Sequence, residues 1–109
     1  MTSSDHEEMR TSSLAEAAEA LGLSEKDIGA AFAPGTMGCH EAMHMAFVVA
    51  DMVDRHLREL PAILARPDWH EKVSIAVDAL NDVYQAIGAE HSASENGEHS
   101  TENNLSVLR

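Results

Sequence analysis

Residues 38–60 decide the fold: Gly38-Cys-His-Glu-Ala-Met-His-Met-Ala-Phe-Val-Val-Ala-Asp-Met-Val-Asp-Arg-His-Leu-Arg-Glu-Leu60. Met43, Ala46, Ala50, Val53, Leu57 and Leu60 recur in steps of three and four, which places them on one helical face, and Pro61 stops the run. Phe47, Val48, Val49 and Met52 widen this stripe until the middle of the helix is apolar nearly all round. A helix lying on a surface needs only one apolar side. The pattern therefore predicts a long helix from about Gly38 to Leu60 with more than one partner.

The next segment has the same character. From Pro67, a favoured first-turn residue, to His91, the positions Trp69, Val73, Ala76, Leu80, Val83 and Ile87 form a second seam. Only residues 61–66 join the two helices, and a connection that short makes them antiparallel neighbours. A lone hairpin over 38–91 leaves too much apolar surface in water. A second copy of the chain, giving a homodimeric four-helix bundle, is the economical cover. The amino-terminal helices of the same chain are the alternative.

Upstream, residues 1–10 are polar and read as disordered. Ser13 with Glu16 forms a capping-box pattern opening a short helix, and Gly22 ends it. Ser24 with Asp27 opens a second short helix, which Pro34-Gly35 ends. Downstream, residues 92–109 are acidic and poor in apolar side chains, the composition of a disordered tail. The expected architecture is all-α: a single domain over 11–91, made of two short amino-terminal helices and the long hairpin.

With 109 residues, 19 acidic and 7 basic, the chain carries a formal charge of −12. Such a field repels phosphate backbones and anionic lipid, so neither nucleic acid nor membrane is an expected partner, whereas a protein with a basic surface is favoured. A single cysteine, Cys39, excludes an internal disulfide framework and suits a reducing cytoplasm. The polar, acidic start lacks the basic and apolar regions of a signal peptide. No apolar run reaches membrane-spanning length.

The sharpest chemical feature is Cys39-His40-Glu41-Ala42-Met43-His44, which contains H-E-x-x-H at a helix start. His40 and His44, four residues apart, share one helical face, the spacing that presents two ligands to one divalent ion. In an antiparallel hairpin this end meets Glu90 and His91, so His40, His44, Glu90, His91 and Cys39 are the candidate ligands. Zinc suits that set first, with iron or manganese next. The five residues 40–44 resemble the zincin motif, which implies that Glu41 polarises a metal-bound water. The longer metzincin pattern is broken: Phe47 stands where its glycine would be and Ala50 where its third histidine would be. No strand-like alternation supplies the zincin sheet. Glu41-x-x-His44 also resembles the element of di-iron bundles, which further requires inward carboxylates from partner helices. The plain alternative is a pair of solvated helix ends, since Glu41 in a first turn and His91 in a last turn both favour the helix dipole.

Residues 14–33 resemble the helix-turn-helix family, with Ala18 at its small-residue position, Gly22 at the turn, and Ala17, Leu21, Leu23, Ile28 and Ala31 at apolar positions. The second helix opens Ser24-Glu25-Lys26-Asp27, with one base and two acids where DNA readers present basic or amide side chains. The segment predicts two helices meeting tightly and no DNA contact. Cys39 reads as a small seam residue, and Tyr84 as a half-buried one on the face of Val77, Gly88 and His91. Two functions follow. The first is a non-catalytic interaction or regulatory protein. The second is a metal-binding bundle built on residues 40–44, with metal-dependent hydrolysis or di-iron chemistry behind it. Whether the chain is an enzyme is open at this level.

Overall fold

The computed structural model describes the backbone of residues 1–107 and the side chains of residues 1–94. Every regular element among the described residues is helical: α1 Ser3–Leu21, α2 Glu25–Ala31, α3 Met37–Met52, a π-helical turn Val53–Leu57, α4 Pro61–Leu64 and α5 Pro67–Val107. The chain divides into two compact units, Met1–Ala33 and Pro34–Arg109.

In the first unit, α1 begins ten residues before the expected Ser13. Thr2 supplies the cap. Its hydroxyl accepts the Asp5 N–H at 3.2 Å, and the Asp5 carboxylate accepts the Thr2 N–H at 2.9 Å. This reciprocal box closes the first turn, and the Thr2 N–H followed by the Thr2 hydroxyl holds the Asp5 carboxyl below the usual carboxylate range. An i,i+3 pair between Glu7 and Arg10 adds to the exposed helix. The expected disordered segment 1–10 is thus helical from Ser3, and Ser13 is an interior residue. Gly22, at φ 69°, ends α1, and the Leu23 N–H reaches back to the Ala18 carbonyl at 2.9 Å. Ser24 caps α2 as its sequence suggests, accepting the Asp27 N–H at 3.1 Å. Ala18, the small residue of the helix-turn-helix-like segment, is buried.

The second unit is the expected hairpin. Phe47 meets Tyr84, His40 meets His91, and Gly88 lies against Met43. In each pair the two residue numbers sum to about 131, so α3 and α5 run antiparallel. Their facing line contains Cys39 and Ala50 from α3, and Val77 and His91 from α5, all buried. Met43, Ala46 and Val53 flank that line, half-buried as the seam requires.

Two parts of the seam differ from expectation. On α5 the facing line is Val77, Tyr84 and His91, spaced by seven, with His70 extending it. Of the predicted line, Val73, Leu80 and Ile87 are half-buried beside it, whereas Trp69, Ala76 and Val83 are exposed, so the line is rotated by part of a turn. Tyr84 drives this choice, because its ring packs on Phe47 at 5.8 Å. On α3 the line ends early. The Arg58 N–H bonds to the Val53 carbonyl at 2.9 Å, five residues back, and the wider π turn carries Leu57 and Leu60 off it. Ion pairs Asp51–Arg55 and Asp54–Arg58 span this turn.

Pro61 does more than stop a helix. It occupies the first turn of α4, inside the short connection. At the start of α5 the Arg66 guanidinium sits 4.5 Å from the centre of the Trp69 ring. The α5 backbone is helical past His91 to Val107; the side chains of residues 95–109, in the acidic tail expected to be disordered, lie outside the described residues. No helix among the described residues is long and apolar enough to cross a membrane.

Candidate functional site

The H-E-x-x-H end of the hairpin is assembled by a cap and a strap. Thr36 starts α3 by accepting the Cys39 N–H on its hydroxyl at 3.2 Å, which fixes the direction of the first turn and turns Cys39 into the hairpin. The preceding Pro34-Gly35 corner is tied down by α5. Nδ1 of His91 accepts the Gly35 N–H at 2.9 Å, and the Ser94 hydroxyl donates to the Pro34 carbonyl at 3.1 Å. His91 is 2% exposed, and its ring lies 5.6 Å from that of His40, tilted by 44°.

Of the candidate ligands, His40 and His91 come together, and Cys39 and His91 are buried. His44, Glu41 and Glu90 are exposed. The reason is angular. His91, seven residues after Tyr84, continues the facing line of α5, and Glu90 is one residue, about 100°, off it. His40 and His44 project to one side of the hairpin and Glu90 to the other. Among the described residues no group of three histidine, cysteine, aspartate or glutamate side chains is placed to hold a metal ion. Nδ1 of His91 is already committed to the Gly35 N–H. What the arrangement does chemically is satisfy a backbone donor that burial would otherwise strand. Sequence reasoning missed this role for His91; the seven-residue spacing Val77, Tyr84, His91 was the signal for it.

The corner itself requires glycine twice over. Gly35 has φ 95°, and a Cβ there would stand 2.9 Å from the Ser94 hydroxyl oxygen. Gly35→Ala is expected to lower the unfolding free energy by about 2–3 kcal/mol, the sum of backbone strain and a displaced Ser94, as read by urea denaturation. An unchanged midpoint would show that the corner carries no strain.

The two long sides of the hairpin differ in character. One side carries His40, His44, Asp51 and Asp54 from α3, with Asp78 and Asp82 from α5. A cleft of about 110 Å³ opens there between Phe47, Asp51, Asp54, Val77 and Asn81. That volume is well below the ~300 Å³ at which small-molecule sites begin. The other side is apolar. Met45 is 58% exposed, Met52 56% and Val83 47%, with Val49 and Ala76 exposed beside them. Helical periodicity puts these residues on a single side because the cleft identifies the opposite one. Monomeric proteins seldom leave so continuous an apolar side uncovered. Comparison with protein-family models, with curated proteins and with solved structures finds no match for this chain.

Proposed function

We propose that this protein is a non-catalytic interaction module that acts through the two sides of its α3–α5 hairpin, in a reducing compartment such as the cytoplasm. The observation that carries this reading is the run of large apolar side chains left exposed along one side, Met45, Val49, Met52 and Val83. Covering them with two further helices completes a four-helix bundle, and a homodimer supplies those helices without a second gene product. The acidic side, with Asp51, Asp54, Asp78 and Asp82, then remains available to a protein with a basic surface.

A photo-crosslinking residue placed at Val49, and separately at Asp78, tests the reading in cells. Discrete adducts of defined mass from at least one position are expected. Absence of adducts from both, in a protein of unchanged helicity, would overturn it.

A further inference from the structure

The apolar side of the hairpin has a symmetry that selects its occupant. Along α5 the exposed positions Lys72, Ala76, Ala79, Val83, Ala86 and Glu90 follow one another in steps of four and three, a continuous stripe on the outer surface of the helix, turned away from the facing line. The pattern is balanced about residue 81. Lys72 and Glu90 are nine residues from it on either side, Ala76 and Ala86 five, Ala79 and Val83 two. A helix laid antiparallel on its own copy about that point brings Lys72 against the partner's Glu90 at both ends, and small or apolar side chains together between them. A parallel copy would instead set lysine on lysine and glutamate on glutamate. Among the described residues neither Lys72 nor Glu90 has an ion-pair partner within the chain.

The neighbouring helix independently marks the same level. The exposed apolar residues of α3 on this side, Met45, Val49 and Met52, are centred on Val49. Across the hairpin Ala50 and Asn81 line the same cleft, so Val49 stands at the height of residue 81. One two-fold axis perpendicular to the helices therefore superposes both stripes on their copies. At ~1.5 Å per residue the α5 seam is about 27 Å long. The α3 stripe, Met45 to Met52, adds about 10 Å, so with helix widths of about 10 Å the two stripes make a footprint of roughly 370 Å² per protomer, the size of a weak, reversible interface. Asp51 and Asp54, which line the cleft, and Asp78 face away from it.

We infer that the apolar side of the hairpin binds a second copy of this chain face to face, α5 antiparallel to α5, in a register set by reciprocal Lys72–Glu90 pairs. This deepens the interaction reading above and rests on it. Sedimentation equilibrium of the full chain at about 10 μM, with Lys72→Glu, Glu90→Lys, the double exchange and Val83→Asp, tests it. All three sites are exposed, so circular dichroism should show unchanged helicity. Dimeric wild type is expected. Each single charge reversal should weaken association about tenfold, because it turns two symmetry-related attractions into repulsions. The double exchange should restore it, and Val83→Asp should weaken it about a hundredfold. Monomeric wild type overturns the self-pairing, and adducts of another mass from position 49 would then identify a different occupant for the same side. A dimer indifferent to both charge reversals overturns the register. Failure of the wider interaction reading looks different: no adducts from either side of the hairpin.

Discussion

Val77→Asp is expected to unfold the hairpin. Val77 is 3% exposed in the α3–α5 contact, and buried Ala50 lines the same cleft one turn away. An aspartate there has no cation within the facing line to pair with, and an unpaired buried charge costs about 4 kcal/mol or more in a protein. A unit of this size holds only about 4–11 kcal/mol in total, at ~0.05–0.15 kcal/mol per residue. The variant should therefore lose most of its far-ultraviolet helical signal at 25 °C. Val77→Ala, which only removes two methyl groups, should stay folded and lose about 2 kcal/mol. The same aspartate at exposed Ala76, one residue away, should cost less than about 1 kcal/mol within the protomer. Equal effects at 76 and 77 would mean that the facing line has been misplaced by a residue.

The second large effect separates the histidines. His91→Ala removes the acceptor for the Gly35 N–H, the ring beside His40 and much of the filling at that end of the hairpin. The stranded donor and the void together are expected to cost about 2–4 kcal/mol in urea unfolding. His40→Ala/His44→Ala removes two exposed side chains and should cost less than about 1 kcal/mol. The two variants rank the other way if the H-E-x-x-H residues hold a structural metal ion. The double variant would then lose several kcal/mol together with an equivalent of metal detected by elemental mass spectrometry. Parallel measurement of stability and metal content on the three proteins decides between a buried structural histidine and a ligand set.

Much of the hairpin was legible because its signals are local and redundant. Pro61 and Pro67 bracket the connection, and the three-and-four spacing through Met43, Ala46, Ala50 and Val53 admits one orientation. The rotation of α5 was harder to read. Trp69, Val83 and Ala76 make as good an apolar line as Val77 and Tyr84, and periodicity alone does not say which line faces inward. The ring contact with Phe47 decides it, and that is a tertiary fact. The same ambiguity misplaced the end cluster, since Glu90 belongs to the rejected line and His91 to the adopted one. The π turn at Val53–Leu57 left no composition signal. At the other end, Thr2 and Asp5 carry a capping pattern as good as that of Ser13 and Glu16, and the polar character of residues 1–10 masked it.

The strap at the Pro34-Gly35 corner has a consequence for the order in which the chain finds its structure. Its two bonds join residues 56 and 60 positions apart, nearly the full circuit of the hairpin. Closing a circuit that long early would forfeit chain entropy before any packing repaid it. Contacts next to the Pro61–Pro67 bend have the shortest loops to close, so pairing should start there and zip toward Cys39 and His91. The strap forms last, like the clasp on a closed clip. Bonds made after the rate-limiting step govern escape more than arrival, so His91 and Gly35 are placed to set how long the folded hairpin lasts, and the bend to set how fast it forms.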